Sequence, residues 1–195
     1  MSKAFLAVRA LRGVKEYRIS MPGLVILLLG FAALAPYCLK YDAKAFFILS
    51  SVAMGGAALG LLAGPPRLEL RVDMRSVVLG LMAAGVIGLT NLVMHATALS
   101  MVSYTVLYAA ICEELAFRFG VQRLAERVMG PAVGVVFQAG LFMLYHWMVY
   151  PGYTLFAAYP LVAGLVFGTV NMTTRDLTPS LIAHFTVNAL AMSFG

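Results

Sequence analysis

The sequence predicts an all-α protein, a polytopic bundle of about seven membrane-spanning helices. Two observations carry this. The 195-residue chain is 62% hydrophobic and only 11% charged, with mean hydropathy +0.92, whereas soluble domains carry about 25% charged residues. Its apolar runs also approach the ~20 residues that a helix needs to cross the hydrocarbon core. One membrane domain, residues 21–195, accounts for the composition.

Residues 1–20 come first. They hold Lys3, Arg9, Arg12, Lys15 and Arg18, with Phe5, Leu6, Val8 and Leu11 between them. Such a segment either lies along the membrane surface or forms a solvated basic tail. The apolar run that follows ends in Ala33-Leu34-Ala35, a signal-peptide-like cleavage pattern. Pro36 next to it should obstruct cleavage, so a retained first span is expected.

Spans are expected at 21–39, 45–64, 77–98, 103–122, 132–149, 154–173 and 178–194. Residues 77–120 are nearly continuous apolar chain, divided around Ser100 to Ser103. Basic residues mark the orientation. With Arg118 left out as intramembrane, one side takes Lys3, Arg9, Arg12, Lys15, Arg18, Arg67, Arg71, Arg75, Arg123, Arg127 and Arg175, and the other only Lys40 and Lys44. By the positive-inside rule the N-terminus is cytoplasmic and the C-terminus external. The net charge of +6 is thus a topology signal and implies no nucleic-acid partner. The compact length points to a prokaryotic cell membrane.

Gly55-Gly56, Gly60, Gly80, Gly85, Gly88, Gly164 and Gly168 lie within the spans, where small residues let helices approach closely. Cys38 and Cys112 fall in different apolar segments with no metal or disulfide spacing, and Cys112 reads as a small buried apolar residue.

The fourth span is not purely apolar. It contains Glu113, Glu114 and Arg118, and an ionised group at the bilayer centre costs roughly 3 kcal/mol on the mildest scale. The fifth carries Phe142 and His146, and the seventh His184 and Asn188. The pairs Glu114/Arg118, Phe142/His146 and His184/Asn188 are each spaced i, i+4, so each occupies one helix face. Three helices can therefore aim polar groups at one cavity.

Glu114 can pair with Arg118 one turn on. Glu113, about 100° away around the helix, lacks that partner and is suited to exchange protons with water. His146 can share that water, while His184 and Asn188 offer donors for an oxyanion. An isolated histidine in an apolar helix commonly serves packing, but these occur together with two glutamates. His95, with Asn91 one turn before it, belongs to no such group and reads as structural.

In sequence, EELAFR resembles the EExxxR motif, FMLYH the FxxxH motif and HFTVN the HxxxN motif of the CPBP (Abi) intramembrane proteases, a family that includes the type II CAAX prenyl endopeptidases. The resemblance covers residues 103–192. It implies an intramembrane endopeptidase acting on membrane-anchored or lipidated peptides, with Glu113 and His146 activating water, His184 and Asn188 forming an oxyanion hole, and Glu114, Arg118 and Phe142 in support. It also implies chemistry without a cofactor. Zinc on Glu113, His146 and His184 is the alternative, since one carboxylate and two imidazoles are adequate ligands. No HExxH helix is present. Two other functions compete: a transporter or proton relay, which intramembrane Glu, Arg and His also mark, and a non-catalytic immunity or binding protein. A transporter would distribute its polar residues along a route and often repeat them, whereas here they collect in the second half of the chain.

Overall fold

A computed structural model describes residues 17–64, 66–69, 74–93, 103–149 and 158–193. The expected surface segment up to residue 16, residues 100–102 of the expected span boundary and His95 lie outside these residues.

The described chain is an all-α membrane bundle of seven helical rods. A short strand β1 (Arg18–Ser20) leads into α1 (Met21–Tyr41). Ser20 caps this helix by accepting from the Gly23 amide, and Pro22 occupies a first-turn position where its missing N–H costs nothing. At 1.5 Å per residue the 21 residues of α1 reach about 31 Å, the thickness of a hydrocarbon core. One residue, Asp42, then reverses the chain. Its amide closes α1 on the Cys38 carbonyl, and its carboxylate accepts from the Ala45 amide at 2.9 Å to start α2 (Ala43–Leu62).

Strand β2 (Arg67–Glu69) pairs in parallel with β1, in register Arg18 with Arg67 and Ser20 with Glu69. Helix α3 (Met74–Val93) follows. The fourth rod runs as α4 (Ser103–Glu113), a π-helical segment (Glu114–Gln122) and α5 (Arg123–Met129). After Gly130 come α6 (Pro131–Val149), α7 (Ala158–Thr174) and α8 (Thr178–Ser193). Helices α1, α2 and α6 are long and apolar enough to cross a membrane, and only 17%, 22% and 28% of their apolar windows are buried. Their outward faces, with Leu28, Leu62 and Met148 exposed, are therefore apolar too. Lipid is the solvent that suits such a surface.

One end of the bundle gathers the charge. Arg123 donates to the Gly64 carbonyl at 2.5 Å and Arg127 to that of Ala63 at 2.7 Å. Arg175 pairs with Glu126, and the Arg18 amide donates to the Arg175 carbonyl. These arginines come from the group that the basic-residue count placed on one side. The described chain enters at this end and, after seven crossings, finishes at the other.

Tyr17 and Ser20 are buried here, so packed structure begins before the first span. Asn171 donates to the Tyr17 hydroxyl at 2.8 Å, and burial pushes that phenol well above its ordinary range. Asp176 accepts from the amide and hydroxyl of Thr178 at the start of α8, and Ser20 bonds to the same hydroxyl. Between α7 and α8, Arg175 adopts the left-handed φ of 57° that non-glycine residues seldom take. Its amide, its carbonyl and its guanidinium are all bonded, which holds the corner in place.

The π segment packs along α2 through small residues on both sides. Gly56 and Gly60 face Ala116, Phe119 and Gly120; a Cβ on Gly56 would strike the Ala116 backbone, and one on Gly120 would strike Gly56. Gly55, by contrast, has open space at the corresponding position. Gly56→Ala should therefore cost about 1–3 kcal/mol through overpacking and lower the thermal midpoint in detergent. Gly55→Ala should leave it unchanged or slightly raised. Thermal unfolding of both variants checks the difference, and equal midpoints would remove this contact from the account. Topology has its own check: reporters fused after Ser2 and after Gly195 should map to the cytoplasm and the exterior respectively.

Candidate active site

Three rods bring the sequence-predicted residues together. Glu113 is the last residue of α4, and Glu114 and Arg118 lie on the π segment. His146 projects from α6 and His184 from α8. Glu113, Glu114, Arg118 and His184 are buried.

Glu113 stands between the two imidazoles. Its Oε2 is 3.7 Å from Nε2 of His146 and 3.6 Å from Nε2 of His184. These separations exceed a direct hydrogen bond, and polar atoms so spaced can share a bridging water. His146 Nδ1 donates to the Phe142 carbonyl at 2.9 Å, one turn back on its own helix. A carbonyl can only accept, so that bond fixes the tautomer of a neutral ring: Nδ1 carries the hydrogen and Nε2 offers its lone pair toward Glu113.

Glu114 joins two partners. Its Oε1 lies 3.4 Å from Arg118 Nη1 and 2.9 Å from His184 Nδ1. The pairing with Arg118 is the one the i, i+4 spacing predicts. The bond to His184 was not legible in the sequence, because it crosses between helices 70 residues apart. Arg118 also sits against two aromatic faces, its guanidinium carbon 4.2 Å from the Phe142 ring centroid and 4.9 Å from that of Phe167. Such contacts stabilise a desolvated cation. Phe142 thus acts twice, through its carbonyl on His146 and through its ring on Arg118.

Asn188 is partly buried one turn beyond His184 and donates from Nδ2 to the Val106 carbonyl of α4 at 2.9 Å. That bond uses one of the two amide hydrogens and orients the other. Cys112, next to Glu113, is fully buried in an apolar cluster with Cys38 and Tyr108, as its sequence context suggests.

Helix α7 contributes to the site although it carries none of the three motifs. Its Phe167 is 1% exposed and stacks on His184, with ring centroids 4.9 Å apart and planes at 27°. Tyr145 packs its ring against Phe117 and His146. Gln122 and Gln138 are also buried and bond to α7 carbonyls. A single aromatic or glutamine in an apolar run has no periodic partner to distinguish it from core. Among the described residues no group of three or more His, Cys, Asp or Glu is arranged to hold a metal ion.

Residues 94–190, about half of the chain, match the family described as type II CAAX prenyl endopeptidase Rce1-like. No curated protein and no solved structure gives a significant match. The matched span contains Glu113, Glu114, Arg118, Phe142, His146, His184 and Asn188. The chain is therefore a member of the Rce1-like type II CAAX prenyl endopeptidase family, an integral membrane protein of the CAAX-type intramembrane endopeptidase class.

Proposed function

We propose that this protein hydrolyses a peptide bond in membrane-anchored or lipidated substrates with a water activated by Glu113, without a metal. The observation that carries the reading is the position of Glu113 Oε2, 3.6–3.7 Å from both histidine Nε2 atoms. In the proposed step Glu113 takes a proton from water as the water oxygen attacks the scissile carbonyl carbon. His146, its Nδ1–H committed to Phe142, accepts a hydrogen bond at Nε2 from the O–H that the water keeps, and so orients it. The carbonyl oxygen becomes an oxyanion facing His184 and Asn188. Collapse of the tetrahedral intermediate breaks the C–N bond, and Glu113 returns its proton to the leaving amine.

Each supporting residue has a physical task in this scheme. For His184 to donate from Nε2 while Nδ1–H stays on Glu114, the ring must be the imidazolium, and Glu114 supplies its counter-charge. The bond to Val106 holds Asn188 with one N–H left to give. Arg118 keeps Glu114 ionised through their pairing. The family relationship supports prenylated peptides ending in C-a-a-X as a substrate class. A transporter has less support, because Glu113, Glu114, Arg118, His146 and His184 converge on one cluster.

The test is cleavage of prenylated and unmodified C-terminal peptides by purified protein in vesicles of defined lipid. Glu113→Gln should reduce turnover by at least about a hundredfold with folding intact; near-wild-type turnover would refute water activation by Glu113. Asn188→Ala should slow the reaction by roughly two to three orders of magnitude with little change in KM, since oxyanion donors act mainly in the transition state. Activity should survive exhaustive chelation, with metal content measured on the same sample. Loss on chelation with recovery at one equivalent of zinc would recast Glu113, His146 and His184 as ligands.

A further inference from the structure

Among the described residues the imidazole of His184 has one hydrogen bond that fixes it, from Nδ1 to Glu114 at 2.9 Å. A single bond leaves a ring free to pivot about that contact. Pivoting would swing Nε2 away from Glu113, which lies 3.6 Å from it. The face of Phe167, nearly parallel to the imidazole, closes that motion from one side. Phe142 meets the same imidazole edge-on, with ring planes at 81° and centroids 6.1 Å apart.

Phe167 is itself held in register. Gln138 donates to the Gly164 carbonyl at 2.6 Å and Gln122 to the Gly168 carbonyl at 2.8 Å, on either side of Phe167 along α7. The donors come from α6 and from the π segment, so both helices fix the height of α7. The Phe167 ring also covers Arg118, and with Phe142 it places aromatic faces around the guanidinium. One side chain on a helix outside the motifs therefore touches both partners of Glu114.

We infer that Phe167 is a positioning residue of the active site, whose ring face sets the plane of His184 and the seat of Arg118 so that Nε2 of His184 stays directed at the reacting atoms. The inference rests on the hydrolytic reading of this site. A packing residue would need only volume at this position. A positioning residue needs the flat face.

Phe167→Leu and Phe167→Met fill the space without a ring, and Phe167→Tyr keeps the ring. Turnover of the prenylated peptide by either aliphatic variant, measured at temperatures where it stays folded, should fall about ten- to a hundredfold, the scale of a misplaced catalytic group, with KM close to wild type, while the thermal midpoint falls as the ring leaves Arg118. The tyrosine variant should recover most of the loss. In histidine-labelled protein, the His184 ring resonances, assigned by their loss in His184→Gln, should shift in the leucine and methionine variants as the stacked ring is removed, and stay near wild type with tyrosine. Wild-type kcat in both aliphatic variants, or a loss that follows thermal stability rather than ring character, would overturn the inference. So would unchanged His184 resonances, a readout that needs no turnover. No cleavage by the wild-type protein would instead count against the hydrolytic reading, and would leave the resonance result to decide the role of Phe167.

Discussion

The buried pair of Glu114 and Arg118 is the constraint around which the rest of the second half is built. Both side chains are fully buried, and taking two charges out of water costs several kcal/mol each unless the surroundings compensate. Compensation comes from three directions. The charges sit 3.4 Å apart, His184 donates to the same Glu114 oxygen, and the Phe142 and Phe167 faces lie against the guanidinium. Each partner arrives from a different helix, so stabilising the pair requires α6, α7 and α8 to meet the fourth rod at one level. The same requirement assembles the active site.

The π segment belongs to this constraint. Nine residues, Glu114 to Gln122, follow the wider helical turn, and such segments are rare and frequent at functional sites. All but Leu115 and Val121 of them are buried, so the widened rod presents side chains to neighbours nearly all round. Gly56, Gly60 and Gly120 admit its backbone against α2, while Glu114 and Arg118 contact residues of α6, α7 and α8. Small residues on one side and a charge network on the other thus hold the same nine residues.

Much of this was legible in the sequence, for a physical reason. Charges in an apolar helix are costly, so Glu113, Glu114 and Arg118 stood out, and i, i+4 spacing paired Phe142 with His146 and His184 with Asn188. Basic residues gathered at segment ends located the charged end of the bundle. Besides the Glu114–His184 bond, three further features were not legible. The π turn follows from tertiary packing, which leaves no periodic mark in nine residues. Phe167 resembles any core aromatic, since its importance depends on what lies opposite. The pairing of Arg18–Ser20 with Arg67–Glu69 involves three residues on each strand, too few to show alternation.

The central claim is that Glu114 and Arg118 are energetically one unit, and a double-mutant cycle measures it directly. Glu114→Gln strips buried Arg118 of the carboxylate beside it and Arg118→Met leaves buried Glu114 with His184 alone, losses of up to about 3–5 kcal/mol. Unfolding measured in the same detergent for both single variants and the double variant should give a combined loss well below the sum of the two. Strict additivity would contradict the account.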